Sequence, residues 1–304
     1  MAISRSQLVK ELEPGLNALF GLEYKNYANE HAEIFDSENS DRAFEEEVML
    51  SGFGNAAVKP EGQSVNYDAA QETFTARYTH ETLALAFSIT EEAIEDNLYD
   101  RLASRYTKAL ARSMSNAKQV KAVTPLIDGL PSTDAYDSGD GVSLFNTSHT
   151  TVSGTAVKNT LSTQADLNET SLEQALIDIA GMTDERGLRV AARGVKMIIP
   201  SANQFNAERL MKSQGRTGTA DNDINAVSSM GMIPQGYRVN NFLTDTDSWY
   251  IITDVPNGMK MFQRAALKTA MEGDFDTGNV RYKARERYSF GVSDPRGIFA
   301  SPGA

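Results

Sequence analysis

Residues 73–123 read TFTARYTHETLALAFSITEEAIEDNLYDRLASRYTKALARSMSNAKQVKAV, and the change of period inside this stretch decides the fold. From Thr73 to Thr90 the residues alternate. Phe74, Ala76, Tyr78 and His80 share one face, Leu83, Leu85, Phe87 and Ile89 continue it after a one-residue shift, and Thr73, Thr75, Arg77 and Thr79 lie opposite. Alternation is the signature of a strand, and the shift between His80 and Leu83 marks a bulge or bend. The period then changes from two to about four. Ile94, Leu98, Leu102, Tyr106, Leu110 and Met114 recur at helical spacing behind Thr90, a plausible N-cap. The charges of this helix are sorted along its axis: Glu91, Glu92, Glu95, Asp96 and Asp100 open it, and Arg101, Arg105, Lys108, Arg112, Lys118 and Lys121 fill the remainder. That order complements the helix dipole. Pro125 is expected to end it, after about 50 Å at about 1.5 Å per residue.

Upstream, Gly52, Gly54, Gly62 and the turn Lys59-Pro60-Glu61-Gly62 interrupt a stretch with little to bury. A strand pair reaching through it would span roughly 50–60 Å, longer than an ordinary strand and too polar to own a core. The expected form is a projecting hairpin that rests on another chain. Before it, Leu8, Leu12, Leu16 and Phe20 predict a short helix broken at Pro14. Residues 30–47 are acidic, with Arg42 as their single base, and read as a solvated arm or as one docking on a basic neighbour.

Downstream, residues 128–162 read as loops with short strands. Thr170-Ser171-Leu172-Glu173-Gln174 offers overlapping capping boxes for a helix burying Leu172, Leu176, Ile179 and Met182 and stopping at Gly187. Val195–Pro200 reads as a buried strand followed by a helix from Ser201, with Phe205 and Leu210 inward. Strands are expected at Tyr237–Leu243, Trp249–Thr253, Met259–Arg264 and Val280–Val292. In the last, Arg281, Lys283, Arg285 and Arg287 form a basic face opposite Val280, Tyr282, Ala284, Tyr288 and Phe290, with Glu286 the exception on the apolar side. That face reads as solvated, as a docking strip for an acidic partner such as the 30–47 arm, or as a weak contact with DNA.

Composition narrows the function. The 304 residues carry a net charge of −12, no cysteine and three histidines (His31, His80 and His149). Disulfides, thiolate sites and cysteine nucleophiles are excluded. The charge argues against a dedicated nucleic-acid binder. No apolar run is long enough to span a membrane, and Met1–Gln7 lacks the apolar core of a signal peptide. No phosphate loop, serine elbow or zinc-protease motif is present. Asp221-Asn222-Asp223-Ile224-Asn225 mimics half a calcium loop, but Ala226 replaces its glycine and Met232 its glutamate. Ser148 stands beside His149, but adjacent residues seldom form a nucleophile–base pair. A triad also needs an orienting acid and an oxyanion hole, so His149 is expected to bond within its own loop. No cofactor, metal or catalytic residue is expected, and the chain reads as a non-enzyme.

The order of hairpin, long helix and mixed region resembles the Hong Kong 97-type major capsid proteins of tailed phages, and within them the Mu-like major head subunit group. The stretches Phe87-Ser88-Ile89-Thr90-Glu91-Glu92, Leu144–His149, Val195–Pro200 and Trp249–Asp254 carry the likeness across essentially the whole chain. It implies an α+β capsid fold with an N-terminal arm (1–50), an extended loop (51–89), a peripheral domain with a spine helix (90–165), an axial domain (166–258) and return strands (259–304). It implies a shell of hexamers and pentamers enclosing double-stranded DNA, assembled in the bacterial cytoplasm and resident in the virion. Its partners would be further copies of itself, a separate scaffolding protein, a portal and a decoration protein, with weak non-specific contact to packaged DNA and no membrane. A bacterial nanocompartment shell of the encapsulin type is the alternative. Lys59, Glu61, Arg77, His80, Arg281, Lys283, Arg285 and Arg287 are the expected inter-subunit contacts. Lys59, the only lysine between Ser51 and Ile89, is the sole candidate for the cross-link that some relatives form.

Overall fold

The computed structural model describes residues 5–27, 29–90, 92–93, 99–133, 135–216, 223–274 and 278–304. Helix α1 (Arg5–Asn26) precedes β1 (Asp36–Asn39), β2 (Phe44–Leu50), β3 (Glu72–Thr79) and β4 (Glu81–Ile89). Helix α2 (Tyr99–Asp128) follows. Then come α3 (Glu169–Ala180), β5 (Gly194–Ile199), α4 (Gln204–Lys212), α5 (Ala226–Met230), β6 (Tyr237–Val239) and β7 (Trp249–Thr253). The chain closes with β8 (Met259–Gly273), β9 (Val280–Val292) and β10 (Ile298–Ser301).

Among the described residues, two four-stranded sheets and one two-stranded ribbon result. The first sheet runs β1-β8-β9-β4 and the second β10-β7-β5-β6, while β2 and β3 pair only with each other. The alternation read across Thr73–Thr90 therefore belongs to two strands in two different sheets, joined at His80. β3 pairs backwards with β2 (Phe44↔Thr79), and β4 pairs forwards with β9 (Glu81↔Tyr288). The projecting hairpin thus has its arms at 44–50 and 72–79, earlier than expected. The reason is the phase shift itself, which turns the inward face through the bend so that each half serves a separate partner.

Residues 30–47 are not a free arm. β1 lies parallel to β8 in register Asp36↔Lys260, and Ile34 and Phe35 are buried in the core beside Leu126 and Tyr288. Two apolar side chains inside an acidic segment are enough to seat it.

Among the described residues three large clusters and a small one (Ala76, Tyr78 and Phe262) make the core. Leu16 and Phe20 of α1 meet Leu110, Ala111 and Met114 of α2 and Tyr282 and Ala284 of β9. The second half of α2 (Ala122, Val123, Leu126) packs with Phe145, Tyr250 and Ile298. A third cluster joins α3 to β5 and β7 through Leu172, Ile179, Met197, Trp249 and Ile251.

Both prolines expected to break helices lie inside them. α1 runs through Pro14, and α2 runs through Pro125 to Asp128. Burial of Leu16 and Phe20 after Pro14, and of Leu126 and Leu130 after Pro125, outweighs the lost backbone bond. The helical start at Glu91–Leu98 lies almost entirely outside the described residues. α3 begins one turn early: Asn168 caps the Ser171 N–H, and Ser171 returns a bond to the Asn168 N–H. It ends at Gly181, leaving Gly187 to a turn at φ +82. Phe205, expected inward, is 72% exposed, and Ala207 and Leu210 fill the core instead.

Candidate assembly surfaces

The hairpin is rooted by buried charge. Lys260 on β8 reaches Glu47 at 2.5 Å and Glu38 at 3.1 Å. Burial alone would weaken its hold on the proton, yet the two carboxylates raise its pKa. Tyr78 meets Ser293 at 2.5 Å, and Ser293 in turn donates to Glu47. These contacts fix the near end of β2 and β3 against β9.

The far end is open. Residues 52–71 are exposed almost throughout, with Val58 at 94% and Tyr67 at 98%. Lys59 and Glu61 stand at the tip, at the turn Pro60–Gln63. The neck is closed by Asp68. Its carboxylate accepts the Gly54 N–H at 2.7 Å and its own neighbour Ala69 N–H at 2.9 Å, and it is gripped by Arg186 at 2.6 Å. The Gly54 N–H and the guanidinium hold this carboxyl below its ordinary range. Arg186 sits in the turn after α3, so the loop leans on that part of the body. On the hairpin arm, Arg77 is exposed, 3.7 Å from Glu46 and 4.1 Å above the Phe44 ring.

His80 departs from expectation. It is 5% exposed, with ring nitrogens 2.8 Å from Ser40 Oγ and 2.9 Å from Ser289 Oγ. Burial and then the Arg287 charge lower its pKa. The bend between β3 and β4 turns it inward, so it joins the first sheet to the β1–β2 connection and offers no outer surface.

The basic row behaves as its alternation predicts. Along β9, Arg281, Lys283 and Arg285 are exposed and Arg287 is half-buried, while Tyr282, Ala284, Glu286 and Tyr288 are buried. Arg281 is paired with Asp274. Behind the row Glu286 meets Lys118 of α2 at 3.5 Å, and Lys118 stacks 5.1 Å from the Tyr288 ring. The carboxylate that breaks the apolar pattern is thereby one tie between the sheet and the long helix, beside the Lys121–Glu81 pair. Four of the eight acids of the 30–47 segment are engaged elsewhere: Glu33 with Lys196, Glu38 and Glu47 with Lys260, and Glu46 with Arg77.

His149 is bound within its own region. Its Nδ1 lies 2.6 Å from Asp140, and its Nε2 lies 3.1 Å from Asn159 Oδ1. The Asn159 amide is oriented by donating to the Leu144 and Pro295 carbonyls at 2.7 and 2.9 Å. Burial opposes ionisation of Asp140, but its bonds from His149 and Ser138 outweigh that and lower its pKa. This is a knot between loops, joining residues 137–160 to the 295 turn. Among the described residues no group of three or more metal-ligating side chains occurs, and no helix is long and apolar enough to cross a membrane. Asp221 and Asn222 of the calcium-like loop lie outside the described residues.

Arg186, Lys260 and the Lys118–Glu286 tie were not found by sequence reasoning. Lys260 had a signal, a lone cation within Met259–Phe262, and Glu286 was visible as an exception. Arg186 had none.

A long helix behind one sheet, a second α/β body and a rooted, open hairpin define an architecture shared with particle-forming shell proteins. The capsid of an empty GTA particle matches over 90% of this chain and 89% of its own, at 13% identity and TM-score 0.57. The procapsid protein of bacteriophage JBD30 matches over 98% of this chain and 76% of its own, at 14% identity and TM-score 0.55. A virus-like particle from Pyrococcus furiosus matches over 94% and 97%, at 10% identity and TM-score 0.53. No curated protein sequence matches the chain. The model of the phage capsid protein family matches residues 72–301, and the chain belongs to that family. It is a structural protein of the virion, a major capsid protein, and membership of a phage family disfavours the nanocompartment alternative.

Proposed function

We propose that the subunit builds an icosahedral shell of hexamers and pentamers around double-stranded DNA, in the Hong Kong 97-type manner and within the Mu-like head subunit group. The observation that carries this reading is the hairpin: its root is held by buried charge, while its tip exposes Val58 and Tyr67 almost completely. A loop so exposed loses little on its own subunit and gains by covering another. In this reading residues 44–79 are the extended loop, α2 is the spine helix, residues 166–258 form the axial domain, and β8 and β9 return to the peripheral domain. Closed rings then arise from heterologous contacts, one subunit's loop over the next subunit's body. Lys59, Glu61 and Arg77 would lie on the loop side of that contact, and Arg281, Lys283, Arg285 and Arg287 on the body side. Assembly in the bacterial cytoplasm, a separate scaffolding protein, a portal, a decoration protein and weak contact with the packaged DNA complete the reading. No catalytic role is proposed.

Electron microscopy of the purified chain, alone and co-expressed with its scaffold, tests it. Closed shells are the expected outcome, and persistent monomers in both conditions would overturn the reading. Deleting Asn55–Ala69 should leave a soluble subunit that no longer assembles.

A further inference from the structure

We infer that His80 is a proton-operated joint: neutral, its imidazole ties the β2–β3 hairpin to the first sheet, and proton uptake in mild acid loosens that tie. The inference goes beyond the shell reading and does not depend on it, because it concerns the folded subunit alone.

The hairpin hangs from the first sheet by two short pieces of chain. One is residues 40–43, between β1 and β2, and the other is His80 itself, between β3 and β4. The His80 ring bridges them. Its Nε2 lies 2.8 Å from Ser40 Oγ on the first crossing, and its Nδ1 lies 2.9 Å from Ser289 Oγ on β9. All three residues are buried, and the Ser40 N–H donates to the Gln263 carbonyl of β8. One side chain thus fastens both crossings to the sheet. The other ties of the root, Lys260–Glu47 and Tyr78–Ser293, are made by β2 and β3 themselves. They keep the hairpin attached while the crossings loosen.

The surrounding bonds fix the tautomer. The single hydrogen of Ser40 Oγ goes to Glu45 at 2.7 Å, so this oxygen accepts from the ring and Nε2 carries the proton. Nδ1 is then bare and accepts from the Ser289 hydroxyl. A second proton would enter at Nδ1 and turn that hydroxyl away.

The charges around the ring oppose this proton. Arg287 of β9 and Arg264 of β8 act against it, and Glu45 of β2 acts the other way. Neither arginine has an ion-pair partner among the described residues, and the Nε of each is buried without a hydrogen-bond partner. Glu45 is already shared with Ser40. Glu81, next in the chain, is turned to Lys121 of α2, and Asp41 and Arg42 beside Ser40 are exposed. An imidazolium here would be the third cation beside one carboxylate, in a place poor in water. Burial and then Arg287 accordingly hold the His80 pKa below its ordinary value of 6.5. A proton bound more weakly in the closed joint than in the open one favours opening as pH falls. The tie is complete above 6.5 and is lost as pH falls through the lowered value.

Hydrogen exchange on the purified full chain, read by mass spectrometry and corrected for the intrinsic effect of pH, tests the joint. Between about pH 7.5 and about pH 5, protection at residues 40–45 and 78–82 should fall roughly threefold or more, while the second half of α2 is unchanged. His80→Gln, whose amide gains no proton in this range, should abolish the step. The three histidine rings can also be followed by nuclear magnetic resonance. His80 should titrate below 6.5, with Nε2 protonated and Nδ1 bare in its neutral form. Arg287→Gln should raise its midpoint and Glu45→Gln should lower it. Wild-type protection that ignores pH, or a His80 midpoint at or above 6.5, would overturn the inference. So would an unchanged step in His80→Gln, or loosening confined to residues 52–71, which would report the Asp68 neck instead. Should His80→Gln fail to fold, the wild-type exchange and the Arg287→Gln midpoint decide alone.

Discussion

Lys118 Nζ on α2 lies 3.5 Å from the Glu286 carboxylate on β9, and both side chains are nearly sealed from water. The pair is a buried charged contact between the long helix and the underside of the sheet whose outer face carries the basic row. Glu286 is 1% exposed, so its charge depends on that one cation and on the nearby Tyr24 hydroxyl.

Removing one partner of such a pair is costly. Lys118→Met should destabilise the subunit by about 3–5 kcal/mol in urea unfolding, because it strands a buried carboxylate. Lys118→Met/Glu286→Leu should recover most of the loss, and a double variant as unstable as the single one would contradict the assignment. Burial raises the Glu286 pKa despite Lys118. The folded state therefore holds this proton more tightly than the unfolded chain. Its contribution to stability is greatest below the ordinary carboxylate range and declines as pH rises through the raised value. Unfolding measured across that range should show a steeper decline in Lys118→Met.

The Asp68–Arg186 contact should show the opposite pH sign. The Asp68 pKa is lowered, first by the Gly54 N–H and then by Arg186. The ordered neck is therefore complete above the ordinary carboxylate range and is lost as pH falls through the depressed value. Arg186→Ala should move the Asp68 midpoint up towards the ordinary value in a carboxyl titration followed by nuclear magnetic resonance. It should also speed hydrogen exchange across residues 52–71, and unchanged exchange would count against a latch.

The cap of α3 offers a local test. Asn168→Ala removes a side chain that accepts the Ser171 N–H at 2.9 Å. A loss of about 1 kcal/mol is expected, read as a lower urea midpoint with an unchanged slope.

At Leu126, fully buried one residue after Pro125, truncation tests why α2 survives its proline. Leu126→Ala should cost about 2–5 kcal/mol, the range for emptying a packed core site. Circular dichroism would then show whether the last turn of α2 is lost with it.

Much of the fold was legible in one dimension. The alternation of Val280–Val292 correctly separated Arg281, Lys283 and Arg285 from Tyr282, Ala284 and Tyr288, because side-chain direction in a strand follows from its two-residue repeat alone. The long helix, described from Tyr99 onward, was legible from its recurrence of about four, and Val195–Ile199 from a short apolar run. The partners of those elements were not. The phase shift at His80 marked a bend but not that each half would pair in a different sheet, and nothing near Pro14 or Pro125 announces how much burial lies beyond each. Phe205 shows the converse: an apolar residue at helical spacing, left in solvent because Ala207 and Leu210 already fill the facing core.

The open hairpin followed the same division. Its polarity, its glycines and its want of a core of its own are properties of residues 51–72 and were determined by sequence. Its root at Lys260, its neck at Asp68–Arg186 and its arms at 44–50 and 72–79 were decided by tertiary structure. Each depends on residues more than a hundred positions apart, or on a choice of strand partner, and chain-local periodicity holds no information about either. The sequence thus determined that the loop has no core of its own; the folded structure decided where it is rooted and what holds its neck.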